Sequence, residues 1–345
     1  MVTVRIASRL PGLALLAAVG LAGRAVGAVT GINHLIATIG IGAVLGNVVG
    51  VPTRYAPGVR TYKLWLETGI VLMGAGVALG QVLAAGPLVF GLVAVVVPGT
   101  VVVVEALGRL FGFPRKLGSL LASGASICGV SAVVSVAGSI DADDAHVAYA
   151  SGTILLFDAL TLVAYPAVGE VLGLSDLAFG VWAGTTMFST GPVAAAGFAY
   201  SQAAGEWATL TKLARNALIG VVALGYAVWY VRLGGESESE SESGSGLTPT
   251  ARSWRERAAT LWGEFPKFFV GFVVLLVFGN LVLTAPTRQA VANAADWAFL
   301  LAFAGLGVGL RLDALREAGW RPFVAVLVSL LAFSAGVLAA VTTLF

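Results

Sequence analysis

Apolar residues run through this chain in blocks of around 20, each closed by a short polar or glycine-rich stretch. An α-helix rises about 1.5 Å per residue, so such a block matches the roughly 30 Å hydrocarbon layer of a bilayer. On that rule the sequence predicts eleven spans, at 10–28, 31–51, 64–83, 87–108, 117–139, 146–168, 177–200, 208–231, 265–284, 292–311 and 320–345. A membrane β-barrel would alternate apolar and polar positions over strands of about ten residues, and these blocks do not alternate. The expected fold class is therefore an all-α polytopic membrane protein.

Two stretches of the pattern repeat. Leu45-Gly46-Asn47-Val48-Val49, Pro52-Thr53-Arg54 and the run from Gly74 to Leu79 return as Phe278-Gly279-Asn280-Leu281-Val282, Pro286-Thr287-Arg288 and the run from Gly305 to Leu310. The register continues to Gly86-Pro87 against Gly319-Trp320. Spans 2 to 4 thus correspond to spans 9 to 11. An odd number of crossings separates them, so the copies lie in opposite orientations, the pattern of secondary transporters built from inverted repeats.

Composition agrees with the spans: 58% of residues are hydrophobic and 11% charged, too little polar surface for a soluble globule of 345 residues. Gly at 45 positions favours close helix approach. With the N-terminus inside, 16 of the 20 basic residues fall on cytoplasmic segments. That distribution predicts a cytoplasmic N-terminus, an outer C-terminus and an outer position for Asp141, Asp143 and Asp144. The basic N-terminus before span 1 reads as an uncleaved first helix, since the run lacks a small-residue cleavage site. Three regions follow: a bundle over 1–231 holding the first repeat, a linker over 232–264, and repeat helices over 265–345. The linker holds a Ser/Glu tract too polar to bury apolar area, which predicts a disordered cytoplasmic tether.

Candidate chemistry concentrates in spans 5 to 8. Span 5 carries Ser126, Cys128 and Gly129, and span 7 carries Thr185, Thr186, Ser189 and Thr190 ahead of Pro192. Glycines and proline predict helix breaks at mid-membrane, where freed N-terminal amides and hydroxyls hold anions. Tight helix packing is the plainer use of such small residues. Lys212 and Arg215 share a face of span 8 and line a polar interior or snorkel to the outer interface. Asp158, near the centre of span 6, either exchanges a proton or sodium ion, or serves as a structural partner for the basic pair, or is a protonated acid bonded across helices. His34 and His146 stand at span edges and read as interfacial. The single cysteine excludes an internal disulfide, and with two histidines leaves little for a metal cluster. Nucleotide-binding and nucleophile-elbow patterns are missing, so no enzyme, cofactor, metal or nucleic-acid partner is expected.

Several of these segments resemble the YeiH-type sulfate exporter family. They are Ser126-Ile127-Cys128-Gly129-Val130-Ser131-Ala132, Val147-Ala148-Tyr149-Ala150, Phe179-Gly180-Val181-Trp182-Ala183-Gly184-Thr185, Ala208-Thr209 with Lys212 and Arg215, and the run from Ala314 to Pro322. The resemblance implies an inner-membrane transporter related to five-plus-five inverted-repeat antiporters and bile-acid symporters, with crossing broken helices. One departure stands out. The family's Ile-His-Asp-Thr-Ala-Gln-Val pattern is replaced by Met187-Phe188-Ser189-Thr190-Gly191-Pro192-Val193, while Asp158 stands where many members carry glycine.

The sequence thus points to a secondary transporter of a small anion, sulfate or an organic sulfonate first. Ser126, Cys128, Gly129, Thr185, Thr186, Ser189, Thr190, Lys212 and Arg215 would bind substrate, and Asp158 would carry a coupling proton or sodium ion. A cation/proton antiporter using Asp158 is the alternative, and a homo-oligomer stays open. A non-transporting scaffold or sensor would show a dry, closely packed centre and no polar cavity between spans 5 and 7.

Overall fold

The computed structural model describes residues 8–31, 33–237, 267–310 and 320–344, and every regular element among them is helical. The elements are α1 (Leu10–Thr30), α2 (His34–Val44, extended by a π turn Leu45–Val49), α3 (Ala56–Val59), α4 (Tyr62–Met73), α5 (Leu79–Leu110), α6 (Arg115–Ser126), α7 (Val130–Ile140), α8 (Asp144–Leu172), α9 (Asp176–Thr186), α10 (Thr190–Tyr200), α11 (Gln202–Asn216), α12 (Ile219–Ser237), α13 (Lys267–Leu281), α14 (Ala285–Gly309) and α15 (Trp320–Leu344). Six are long and apolar enough to cross a membrane alone, α11 and α12 counting as one through a turn at Ala217-Leu218. The protein is all-α and polytopic. Most of the predicted linker, 238–264, lies outside the described residues, while 232–237 continue α12.

Spans 5 and 7 keep their predicted breaks but do not cross. Each folds back on itself. Lys116 Nζ, in the first turn of α6, donates to Asp141 O just past α7 at 2.5 Å. In one straight helix those residues would stand about 38 Å apart. Ser201 Oγ, just past α10, likewise donates to Asp176 Oδ1 at the start of α9 (2.7 Å), and Tyr200 stacks on Phe179 at 4.0 Å. Each leg of 11 or 12 residues rises about 17 Å, half the hydrocarbon layer. They are re-entrant hairpins, and removing two crossings from between the copies leaves the parity of their separation unchanged. The acidic loop from Asp141 to Asp144, expected on the opposite face from Lys116, instead stands beside it.

The predicted third span also changes. α4 stops at Met73, and the chain from Gly74 to Ala78 is irregular before α5 begins. Asn280 closes this gap: its Nδ2 donates to Val77 O (2.8 Å) and its Oδ1 accepts from Leu79 N (3.2 Å). The second copy repeats the arrangement with roles exchanged, since Asn47 Nδ2 donates to Leu310 O at 2.7 Å. The same exchange relates backbone contacts. Gly46 abuts Val308 and Gly279 abuts Ala75, while Gly307 abuts Ile39 O and Gly74 abuts Phe272 O. In all three pairs the two copies are offset by 233 residues (280 − 47, 308 − 75, 272 − 39). Gly74 therefore matches Gly307, not Gly305 as the motif comparison suggests. Contacts that swap in this way define a pseudo-two-fold axis between the copies.

Two bundles result. α1, α2, α4, α13 and α14 pack around that axis, and α5 to α12 with α15 surround the hairpins. They meet chiefly where α10 touches α2 and α14 and where α5 touches α13. Asn33 Nδ2 ties them by donating to Phe198 O (2.9 Å) and Ala199 O (3.1 Å) at the end of α10.

Candidate functional site

The hairpins meet tip to tip. Ile127, Cys128 and Gly129 form the first tip, and Met187, Phe188 and Ser189 the second. Gly129 has φ +71°, and a Cβ on it would collide with Ser189 Oγ, so both the turn and the contact require glycine. α6 and α9 aim their carbonyl ends at this meeting point, while α7 and α10 begin from it.

Those carbonyl ends carry partial negative charge and have no partners within their own helices. Lys212 and Arg215, both from α11, supply them. Lys212 Nζ donates to Ile127 O (2.6 Å) and Met187 O (3.0 Å). Arg215 Nε donates to Ser126 O (3.0 Å), Nη1 to Thr185 O (2.5 Å) and Met187 O (2.8 Å), and Nη2 to Ala125 O (2.8 Å). Two cations fully buried at mid-membrane thus clamp both tips together. Snorkelling to the interface is excluded by that burial.

Asp158 sits midway along α8, 2% exposed. Its Oδ1 accepts from Ser189 N at 2.9 Å, at the start of α10, where a helix N-terminus favours negative charge. Its Oδ2 has no hydrogen-bond partner. No ion pair joins it to Lys212 or Arg215 among the described residues, so the structural-partner reading of Asp158 fails in its direct form. The carboxylate and the cations share the second hairpin tip, on its amide and carbonyl sides respectively.

The predicted hydroxyls are all buried or half-buried here, but most donate locally. Ser126 Oγ donates to Ser123 O, Thr185 Oγ1 to Val181 O and Thr186 Oγ1 to Trp182 O. Thr190 Oγ1 accepts from Asn216 Nδ2 at 3.0 Å. Cys128 packs in an apolar cluster with Val97, Ile127 and Ala214. Among the described residues no His/Cys/Asp/Glu group has the makings of a metal site. Beside the clamp lies a cavity of about 10 Å³, lined by Arg215, Thr185 and Thr186 and by residues of α5 and α15. It has room for a single water.

Sequence reasoning missed three groups here. Asn216 follows Arg215 directly and was legible as a third polar residue in the same helical turn. Thr100 and Ser329 are solitary hydroxyls within apolar helices, and both line the cavity. Nothing in their sequence neighbourhood separates them from packing residues.

The profile of the family described as Conserved hypothetical protein 698 matches residues 11–326. The chain belongs to this family, UPF0324. A UPF0324 membrane protein of Nitratidesulfovibrio vulgaris is 32% identical over 294 residues, covering 85% of this chain and 79% of its own length. One from Bacillus cereus is 31% identical over 298 residues, covering 86% and 82%, and one from Clostridium tetani 28% over 291, covering 82% and 81%. No solved structure matches. The family match covers the first repeat, both hairpins, the clamp and the second repeat as far as residue 326, so the tip-to-tip arrangement lies within the family's shared extent.

Proposed function

We propose that this UPF0324 membrane protein is a secondary transporter for a small anion, with Asp158 as the proton-coupling group. The observation that carries the reading is the meeting of two re-entrant hairpins over two buried cations and one buried carboxylate. Irregular backbone and buried charge at membrane depth are costly and persist where they line a transport path. Sulfate and organic sulfonates are the first candidates. With Lys212, Arg215 and Asp158 all ionised the centre holds one net positive charge, and with Asp158 protonated it holds two. A dianion is then better matched to the protonated state, which links proton and anion occupancy. The distribution of basic residues supports placement in the cell membrane with a cytoplasmic N-terminus.

Proteoliposomes containing the purified protein test this. Labelled sulfate or ethanesulfonate should accumulate under an imposed pH gradient. Asp158→Asn should preserve anion binding, because its amide oxygen still accepts from Ser189 N, yet remove the pH dependence. No anion flux in either direction would end the proposal.

One observation favours a second reading, a cation/proton antiporter. Lys212 and Arg215 already donate to six carbonyl contacts, whereas Asp158 Oδ2 is unpartnered and suits a cation. Sodium-dependent stabilisation lost in Asp158→Asn, without any anion effect, would select it. The scaffold reading expected a dry, tight centre. The packing is tight and the cavity beside Arg215 admits only one water, as that reading expected, while the three buried ionisable groups favour transport.

A further inference from the structure

The small cavity beside Arg215 is lined by two kinds of side chain. Arg215, Thr185 and Ser329 bring charge and hydroxyls, and Thr100 adds another hydroxyl. Ser329 is 2% exposed, and its Oγ has no hydrogen-bond partner, a costly arrangement for a buried hydroxyl unless something visits it. Phe188, Leu330 and Phe333 line the same space with apolar surface. No carboxylate lines the space: Asp158 lies across the second hairpin tip, against Ser189.

The position is also set by symmetry. α5 and α15 occupy equivalent places in the two copies, and at the 233-residue offset Val96 matches Ser329 and Thr100 matches Phe333 (329 − 96, 333 − 100). The hairpins contribute Ala125 and Thr185, each from the last turn of its first leg. The cavity therefore lies where the repeats face one another, the usual place for a transporter's substrate. Equivalent positions carry unlike residues, Val against Ser and Thr against Phe. The pocket is thereby polarised although its frame is symmetric.

We infer that this cavity is the closed form of the substrate site, and that it takes a small organic oxyanion, a charged head against Arg215 and Ser329 with a short apolar tail against Phe188, Leu330 and Phe333. The inference rests on the anion-transport reading and sharpens it, since inorganic sulfate would leave the apolar surface unmatched. Its volume of about 10 Å³ admits one water, so binding requires α15 or α5 to draw back.

Calorimetry on the purified full-length protein, with sulfate, methanesulfonate, ethanesulfonate and benzenesulfonate as probes, tests it. Ethanesulfonate should bind more tightly than sulfate. Ser329→Ala should weaken ethanesulfonate about tenfold, in line with loss of a hydrogen bond to a charged group. Phe333→Ala should shift preference toward benzenesulfonate, a readout that a folding defect would not produce. If the wild-type protein binds sulfate at least as tightly as ethanesulfonate, or if neither substitution alters the ranking, the site assignment is wrong while anion transport stands. If no probe binds, the transport reading itself fails.

Discussion

Arg215 shows how a charge reaches the middle of a membrane protein without an acidic partner. Its fork meets four carbonyl oxygens at two helix ends, one of which, Met187 O, it shares with Lys212. Lysine carries the same charge as a point, with three donors and no fork, so it cannot span Ser126, Ala125, Thr185 and Met187 together. Arg215→Lys should therefore destabilise the protein by about 2 kcal/mol or more, from at least one carbonyl left buried and unpaired. Thermal unfolding in detergent measures this, and an unchanged midpoint would remove the clamp argument. The pair was legible from its spacing on span 8, although its place one turn into that span fitted snorkelling equally. Its partners were not, because carbonyl oxygens belong to every residue and leave no mark on the sequence. The same blindness explains Asp158, whose acidity in an apolar run was plain while its contact with Ser189 N was not.

Among the elements, the hairpins are where pattern reading and structure part. Hydropathy counts apolar length, and a leg, a tight turn and a second leg add up to the length of a crossing. The glycines and Pro192 signalled that both segments break, but a break alone does not say whether the chain continues or returns. The polar ends decide it: Lys116 reaches Asp141, and Ser201 reaches Asp176. A labelling experiment separates the two topologies. In a Cys128→Ala background, single cysteines at Arg115 and Asp143 should react with an impermeant maleimide from the same side of oriented vesicles, and one at Gln202 from the other. Reaction of Asp143→Cys on the side of Gln202→Cys would restore the straight crossing. The break after α4 was equally hidden, for its closing partner, Asn280, stands about 200 residues away.

For the whole molecule, the repeat was the most legible feature, and the structure gives it a mechanical meaning. A carboxamide presents one donor and one acceptor, as a peptide group does, so Asn280 can stand in for the missing backbone between Val77 and Leu79. Asn47 does the matching work at Leu310 from the other copy. Each repeat thus supplies a hydrogen bond to a helix end of the other, Asn280 at the gap between α4 and α5 and Asn47 at the end of α14. Glycines at 46 and 279 let the backbones approach closely enough for the exchange. If the pseudo-two-fold is a real energetic symmetry, Asn47→Ala and Asn280→Ala should cost similar amounts, about 1 to 3 kcal/mol each for buried groups left unpaired. The double variant should lose about the sum, since the two residues serve separate breaks. Unfolding of the three variants in detergent tests this. A large loss at one asparagine with none at the other would mean that the copies share a shape but not a load, and that only one break is held by its partner.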